Sequence, residues 1–544
     1  VAIGYGALGA DTTGTGNVAV GKEALLTNQT GSSNTAVGLQ ALKVNTQSNN
    51  TAVGNAAMIA NTGGTGNVAM GHSALVVNTT GNYNTAIGMY ALDATDTTSN
   101  NTAVGYEALS ANTASGNTAI GYQAAENTTT GAGNIAIGQN AMHANTTGTR
   151  NIAIGHESYD GSDTEADNLA IGYQAMTINT AGGTRNIALG NYALDALTSG
   201  DDNIAIGHQA ASALNTGYNS VFVGSKAGAS VTGGAQHVFV GFEAGNSCTT
   251  GNRNTAIGNL SYDDGWTSEG DNTAVGNEVM GGGAVGNGAE FNTSVGSYAM
   301  NSLTTGDYNT SIGASSAQAL TTGIGNVLVG GSSGVGLTTA NYNTLVGYLA
   351  GAGIVGGGDN TVIGHNAGFA GHNIITGLRN VLVGKQCHTN ATDSADQIVM
   401  GYNVEGSADS NFTFGKSGTD SNIAFGATSI SAPSDIRLKE NIQDEKIGLD
   451  FINDLRPVTF QWKKAKDISS EMDLHDLDSD ERVMNGKYNH GFIAQEVKET
   501  IDKYSDIKDG FGMWSEAGKD NRQRVGEGAL MSIMVKEVQE RSTQ

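Results

Sequence analysis

The sequence predicts a mainly β fold: a trimeric parallel β-solenoid (β-roll) shaft, followed by a small α+β domain with a C-terminal helix. Three observations carry that prediction. A five-residue phrase, Asn-Thr-Ala-Ile/Val-Gly, recurs at a step of 16 to 18 residues through most of the chain. With 80 glycines in 544 residues, 14% charged and 6% aromatic, the composition cannot fill the several conventional cores that this length would suggest. At Ser434–Lys439 (SDIRLK) the composition changes: no proline precedes Pro433, and Trp462 and Trp514 both lie beyond the junction.

Residues 1–405 read as the repeat shaft. The phrase ends on Gly21, Gly38, Gly54, Gly71 and Gly88, continues through Gly155, Gly207 and Gly258, and persists in irregular copies to Gly426. The three residues after Asn alternate as a strand, so the first and third share a face and the small middle residue takes the other. The third residue is apolar in copy after copy, as at Val37, Val53, Ile87, Ile120, Ile137 and Ile154, and this row is expected to be buried. The Ala–Leu pair that follows, as at Ala41–Leu42 and Ala91–Leu92, is expected to form a second strand on the other wall. Glycine permits a tight turn after the first strand. Asn suits the neighbouring bend by tolerating left-handed geometry and bonding its own backbone, and stacked Asn and Thr can form ladders along the axis. So small a coil encloses little apolar volume and is stable only when stacked. Three solenoids are therefore expected to pack around a common axis. About 25 coils at roughly 4.8 Å each give a shaft about 120 Å long. The Asn…Ala-Ile-Gly phrase resembles the β-roll heads of trimeric autotransporter adhesins, whose period is shorter. Because the phrase opens in mid-motif at Val1, further sequence with an attachment region is expected ahead of it.

Departures from the rhythm mark surface loops. The stretch NLSYDDGWTSEGD brings Tyr262 beside Trp266, the shaft's only tryptophan, and further expansions cover 281–291 and 369–379. An exposed Tyr262–Trp266 pair would stack on a sugar ring; the competing reading has Trp266 plugging an irregular coil. His, Asp and Glu show no metal-ligand spacing along the chain, so no metal site and no cofactor are expected. Acidic spots such as Asp201–Asp202 and Asp263–Asp264 read as solvated turns. Residues 406–433 read as a narrowing tip and linker, where Phe412, Phe414 and Phe425 replace small residues and three chains would converge.

Residues 434–544 form the last domain in this reading. Asp435–Ile442 and Ile447–Leu455 read as helical pieces, Val458–Trp462 and His490–Ala494 as strands, and Glu496–Tyr504 as the start of a helix. Glu471–Glu481 reads as an acidic loop. From Glu527 the chain looks helical, with Leu530, Met534 and Val538 on one stripe and Ile533 beside it, as a three-stranded coiled coil requires. Ser434 and Asp435 also suit the N-cap of a short helix. Four blocks, SDIRLKEN from Ser434, LDFINDLRP from Leu449, FQWK from Phe460 and YNHGFIAQEV from Tyr488, together resemble the intramolecular chaperone domain of endosialidase-type phage tailspikes and fibres. The resemblance implies a domain that holds three chains together during folding and then cuts itself off. It places the family's serine on Ser434 and its lysine on Lys439, with Asp435 and Arg437 in support. A lysine serves as base only where burial or nearby positive charge favours its neutral form.

The formal charge of −25 argues against nucleic-acid binding through a basic surface. No apolar run is long enough to span a bilayer, and Cys248 and Cys387 are too far apart in sequence to suggest a redox or metal pair. Together these observations predict a structural and adhesive phage fibre. It would be made in the host cytoplasm, carried on the virion, and partnered by two identical chains and a cell-surface glycan or protein receptor. The alternative is a bacterial cell-surface trimeric adhesin, which would need a membrane anchor. A glycan-degrading tailspike would need clustered carboxylates on a broad coil face, and none is evident.

Overall fold

A computed structural model of the chain describes residues 1–178, 182–263, 266–282, 288–427, 430–431, 436–471, 475–484, 486–507, 511–517 and 522–543. They fall into two compact units, 1–433 and 434–544.

The first unit is a parallel β-solenoid with one short strand per coil. Each strand pairs in register with its neighbours one coil away, so Thr85, Ala86 and Ile87 lie beside Thr102, Ala103 and Val104. The stack begins at Ala2–Ile3 and lengthens near its end into Ile398–Tyr402 and Asn411–Lys416. Ser421–Ala424 then returns antiparallel and ends it.

The strands turn inward the face opposite to the one expected. Middle residues such as Ala86, Ala119 and Ala153 are wholly buried, whereas Ile87 and Ile120 are 37% and 40% exposed and Ile154 is half-buried. The reason is volume. In an ordinary coil the interior already holds an Asn and an Ala–Leu pair, and only a methyl group fits between those two walls. The larger first and third residues therefore point out.

The Ala–Leu segment is also not a strand. It is a run of turns in which Gln40 (φ 59°) and Leu42 (φ 48°) adopt left-handed backbone. The Gln40 N–H donates to Lys22 O in the coil before (2.9 Å), and the Leu42 N–H donates to Ala57 O in the coil after (3.1 Å). Left-handed residues cost energy, and bonding alternately to both neighbouring coils offsets that cost in a chain that must close a circuit in so few residues. Gly38 has no substitute. Its φ is 141°, and a Cβ there would lie 2.2 Å from the Gly54 carbonyl oxygen.

The Asn that opens the phrase in most coils is a buried rung rather than a bend that bonds to itself. Asn50 Oδ1 accepts the Asn67 N–H (3.0 Å), and Asn67 Oδ1 accepts the Asn84 N–H (2.8 Å). The Asn67 Nδ2 meanwhile donates to Gly81 O in the coil beyond (2.8 Å). Only a side chain carrying both acceptor and donor meets both demands.

Where the wall changes, it changes in pairs. Phe222 and Phe239 occupy middle positions that elsewhere hold Ala, and the corresponding Leu positions become Gly228 and Gly245. A Cβ on Gly228 would come within 2.4 Å of the Phe222 ring. Leu328 with Gly334 and Leu345 with Gly351 repeat the exchange.

The second unit is a small α+β domain. Helix Leu449–Asp454 packs with Ala494–Asp502 and the C-terminal helix Leu530–Thr543 around Ile447, Phe451, Leu455, Val497, Ile501, Met513 and Ile533. Val458–Phe460 pairs antiparallel with Asn489–Gly491, close to the expected strands. The hairpin Trp514–Ala517 with Arg522–Val525 had no sequence expectation. Among the described residues no helix is long and apolar enough to cross a membrane.

Candidate functional site

The junction between the two units is the first candidate. On its N-terminal side, Ser431 is tied to the last strand of the solenoid. Its N–H donates to Asn422 O (2.7 Å), and the Asn422 N–H donates back to Ser431 O (2.8 Å). Of the predicted nucleophile and its supporters, Ser434 and Asp435 lie outside the described residues. Arg437 sits in the 3-10 turn Ile436–Leu438 and Lys439 directly follows it, its N–H donating to Ile436 O (3.1 Å). Both side chains are exposed in a single chain. Further along the same unit, Arg456 forks onto the Glu496 carboxylate, and the Tyr504 hydroxyl donates to Asp454 Oδ2 (3.2 Å). These contacts tie the first helix of the domain to the second.

The Tyr262–Trp266 pair is not a sugar platform. The rings stack on each other at 4.5 Å, but Tyr262 is 1% exposed and Trp266 2%. The Trp266 Nε1–H donates to Met280 O (2.7 Å), and Asn272 Nδ2 donates to the Tyr262 hydroxyl (3.2 Å). Tyr262 stands where other coils place Leu, and Trp266 fills the adjoining corner. The pair is the plug of an irregular coil, with no ring face left for a ligand. Tyr159 occupies the same place in another coil and receives the same kind of bond, from Asn168 Nδ2 at 2.7 Å.

Both cysteines are free and buried. Burial pushes the Cys248 thiol up to about 12, which removes it as a nucleophile.

One constellation escaped the sequence reading. His372, His388 and Glu405 offer donor atoms that all lie within 4.8 Å of one another. Their separations of 16 and 17 residues equal the coil step, so stacking brings together side chains that look scattered along the chain. The expectation of no metal-binding arrangement considered local spacing alone; in a solenoid the relevant spacing is the period.

Residues 434–505 match the model of a protein family described as chaperone of endosialidase. No curated protein matches the chain, and no solved structure does. The matched segment starts on the first residue of the second compact unit. It supports a fibre-type protein whose repeat shaft is followed by a C-terminal chaperone domain.

Proposed function

We propose that the chain is one third of a parallel homotrimeric phage fibre for host-surface attachment, whose C-terminal domain templates assembly and is then released by self-cleavage at Ser434. The observation that carries this reading is the chaperone-of-endosialidase match beginning at Ser434, where the compact units divide. Two surfaces support it. The outward third-position row, including Val37, Met70, Ile87, Ile120 and Ile257, leaves an apolar stripe exposed along the solenoid, and two further copies of the same chain would cover it. Among the described side chains of the C-terminal helix, only Ile533 is buried in its own domain. Met534 and Val538 are exposed, with Leu530 half-buried on the same stripe, as a seam shared with partner chains requires.

In the proposed cleavage, the Ser434 hydroxyl oxygen attacks the Pro433 carbonyl carbon while Lys439 takes the hydroxyl proton. The Pro433–Ser434 C–N bond breaks as an ester forms on Ser434 Oγ, and the proton passes on to the released amine. Water then hydrolyses the ester, giving a Pro433 carboxylate and free Ser434. Lys439 is solvent-exposed in one chain, and closure of three chains is what would bury it for this role. Cleavage would thus follow correct assembly.

Mass spectrometry of the purified protein tests this. The wild type should give a fragment beginning at Ser434, and Ser434→Ala and Lys439→Ala should each give an uncut chain that is still trimeric by native mass spectrometry. Normal cutting of either variant would remove the proposed dyad. A stable monomer at micromolar concentration would remove the fibre.

A further inference from the structure

We propose that His372, His388 and Glu405 form a binding site for a divalent transition ion of the zinc type, clasping three successive coils near the end of the solenoid. The backbone brings the three together. His388 forms a bridge with Glu405 in the next coil, its N–H donating to Val404 O (3.0 Å) while the Gly406 N–H donates to His388 O (2.8 Å). His372 reaches the same edge through its bridge with Thr389.

The side chains then meet three requirements of such an ion. His372 Nδ1 and Glu405 Oε1 are 3.2 Å apart. A tetrahedral ion with bonds of about 2.0–2.1 Å holds its ligands about 3.3 Å apart. His388 Nδ1 lies 3.1 Å from the Thr389 carbonyl oxygen, which only an N–H can satisfy, so the ring's lone pair falls on Nε2. That carbonyl is the kind of outer partner that orients a ligating imidazole. The ring also has no room to swing away, because Gly371 is packed against it. A Cβ at Gly371 would lie 2.6–2.9 Å from three of its atoms.

Two imidazoles and one carboxylate favour a borderline ion over calcium or magnesium, which prefer all-oxygen sites. The His372 and Glu405 side chains are exposed, which gives an ion access and leaves a fourth position for water. The contrast with His143 is instructive. Its two ring nitrogens face Glu126 (3.1 Å) and Asp160 (3.7 Å) on opposite sides, an arrangement that cannot converge on one ion. An ion held by all three residues would tie the departure at 369–379 to the two coils that follow.

Zinc titration of the chelator-stripped full-length protein by calorimetry tests the site. One zinc per chain should bind, with accompanying protection of the 369–379 segment from proteolysis. His372→Ala and Glu405→Gln change exposed side chains, and each should weaken binding by about tenfold or more. His365→Ala, an exposed histidine outside the cluster, should leave it unchanged. Cobalt should bind with the intense visible absorption of a tetrahedral site, abolished by His372→Ala. The proposal is overturned if no saturable zinc binding is found, if His372→Ala and Glu405→Gln bind like the wild type, or if His365→Ala weakens binding equally. None of these outcomes bears on trimerisation or on the cut at Ser434.

Discussion

At the scale of single residues, the solenoid depends on polar groups buried inside a narrow apolar tube, and the Asn ladder is the clearest case. In Asn67→Ala the Asn84 N–H loses its acceptor, while Gly81 O keeps a second donor in Asn78 Nδ2 (3.2 Å). One orphaned buried donor costs about 1–3 kcal/mol. Thermal melting should register that loss, and hydrogen exchange should accelerate at the Asn84 amide more than at amides several coils away. His237 interrupts the same ladder. Its ring approaches the backbone of Gly251 and Asn254, yet neither nitrogen makes a well-formed hydrogen bond, and burial lowers its pKa from 6.5 to about 4. Above pH 6.5 the ring is neutral folded or unfolded and adds nothing to pH dependence. As pH falls from 6.5 to about 4, the unfolded chain takes up a proton that the fold refuses, so about 3 kcal/mol of stability is lost across that window. His237→Asn should abolish this share of the acid sensitivity, measured as the difference in melting temperature between pH 7 and pH 4.5.

At the scale of the element, one coil is a fixed volume divided between two walls. The pairing of Phe222 with Gly228 against Ala with Leu elsewhere shows the division directly. Phe222→Ala should open a cavity and cost about 3–5 kcal/mol. Gly228→Leu alone should also destabilise, because the added side chain would meet the Phe222 ring. The double change restores the ordinary Ala–Leu filling, and Gly228 already has the left-handed φ (61°) that Leu adopts in other coils. It should recover most of the loss in denaturant unfolding. Simple addition of the two penalties would show that the walls are not coupled. The same volume rule explains why Trp266 was readable as a surface platform and is not one: the coil that carries it has Ser261–Tyr262 where Ala–Leu is usual, and the indole fills what remains.

At the scale of the whole molecule, sameness is the hazard. Slipping one chain of an assembly by a full coil would again set glycine against glycine and Asn against Asn, and would forfeit only the contacts of the end coil. Irregular coils such as those around Phe222, Trp266 and Leu328 penalise a slip, but they are few. In the proposed trimer a registering device at one end would therefore be useful while chains meet and dispensable once their apolar stripes are covered. Deleting 434–544 before folding should give aggregates. Removing that segment after assembly should leave the melting temperature of the remaining shaft nearly unchanged. Size-exclusion chromatography and thermal melting of the two preparations separate these outcomes, and normal folding after early deletion would refute the templating role.

Much of this was legible in the residues alone because in a solenoid the neighbour of a residue is the same phrase one period away. The period, the parallel strand, the glycine after it and the stacking of Asn on Asn are all local facts repeated, so periodicity already encodes the tertiary contact. The blocks SDIRLK and YNHGFIAQEV likewise pointed to the chaperone segment without any geometry. Alternation along a strand, however, is symmetric between its two faces. Whether Ala86 or Ile87 turns inward depends on how much room the opposite wall leaves, and that is settled only when Leu is in place. The Ala–Leu segment became a run of turns because the circuit must close, a constraint on the ring as a whole that no local propensity expresses. His372, His388 and Glu405 came together for a related reason: stacking converts a separation of one period into a side-chain contact, while the departure at 369–379 hides that period from a reading along the chain.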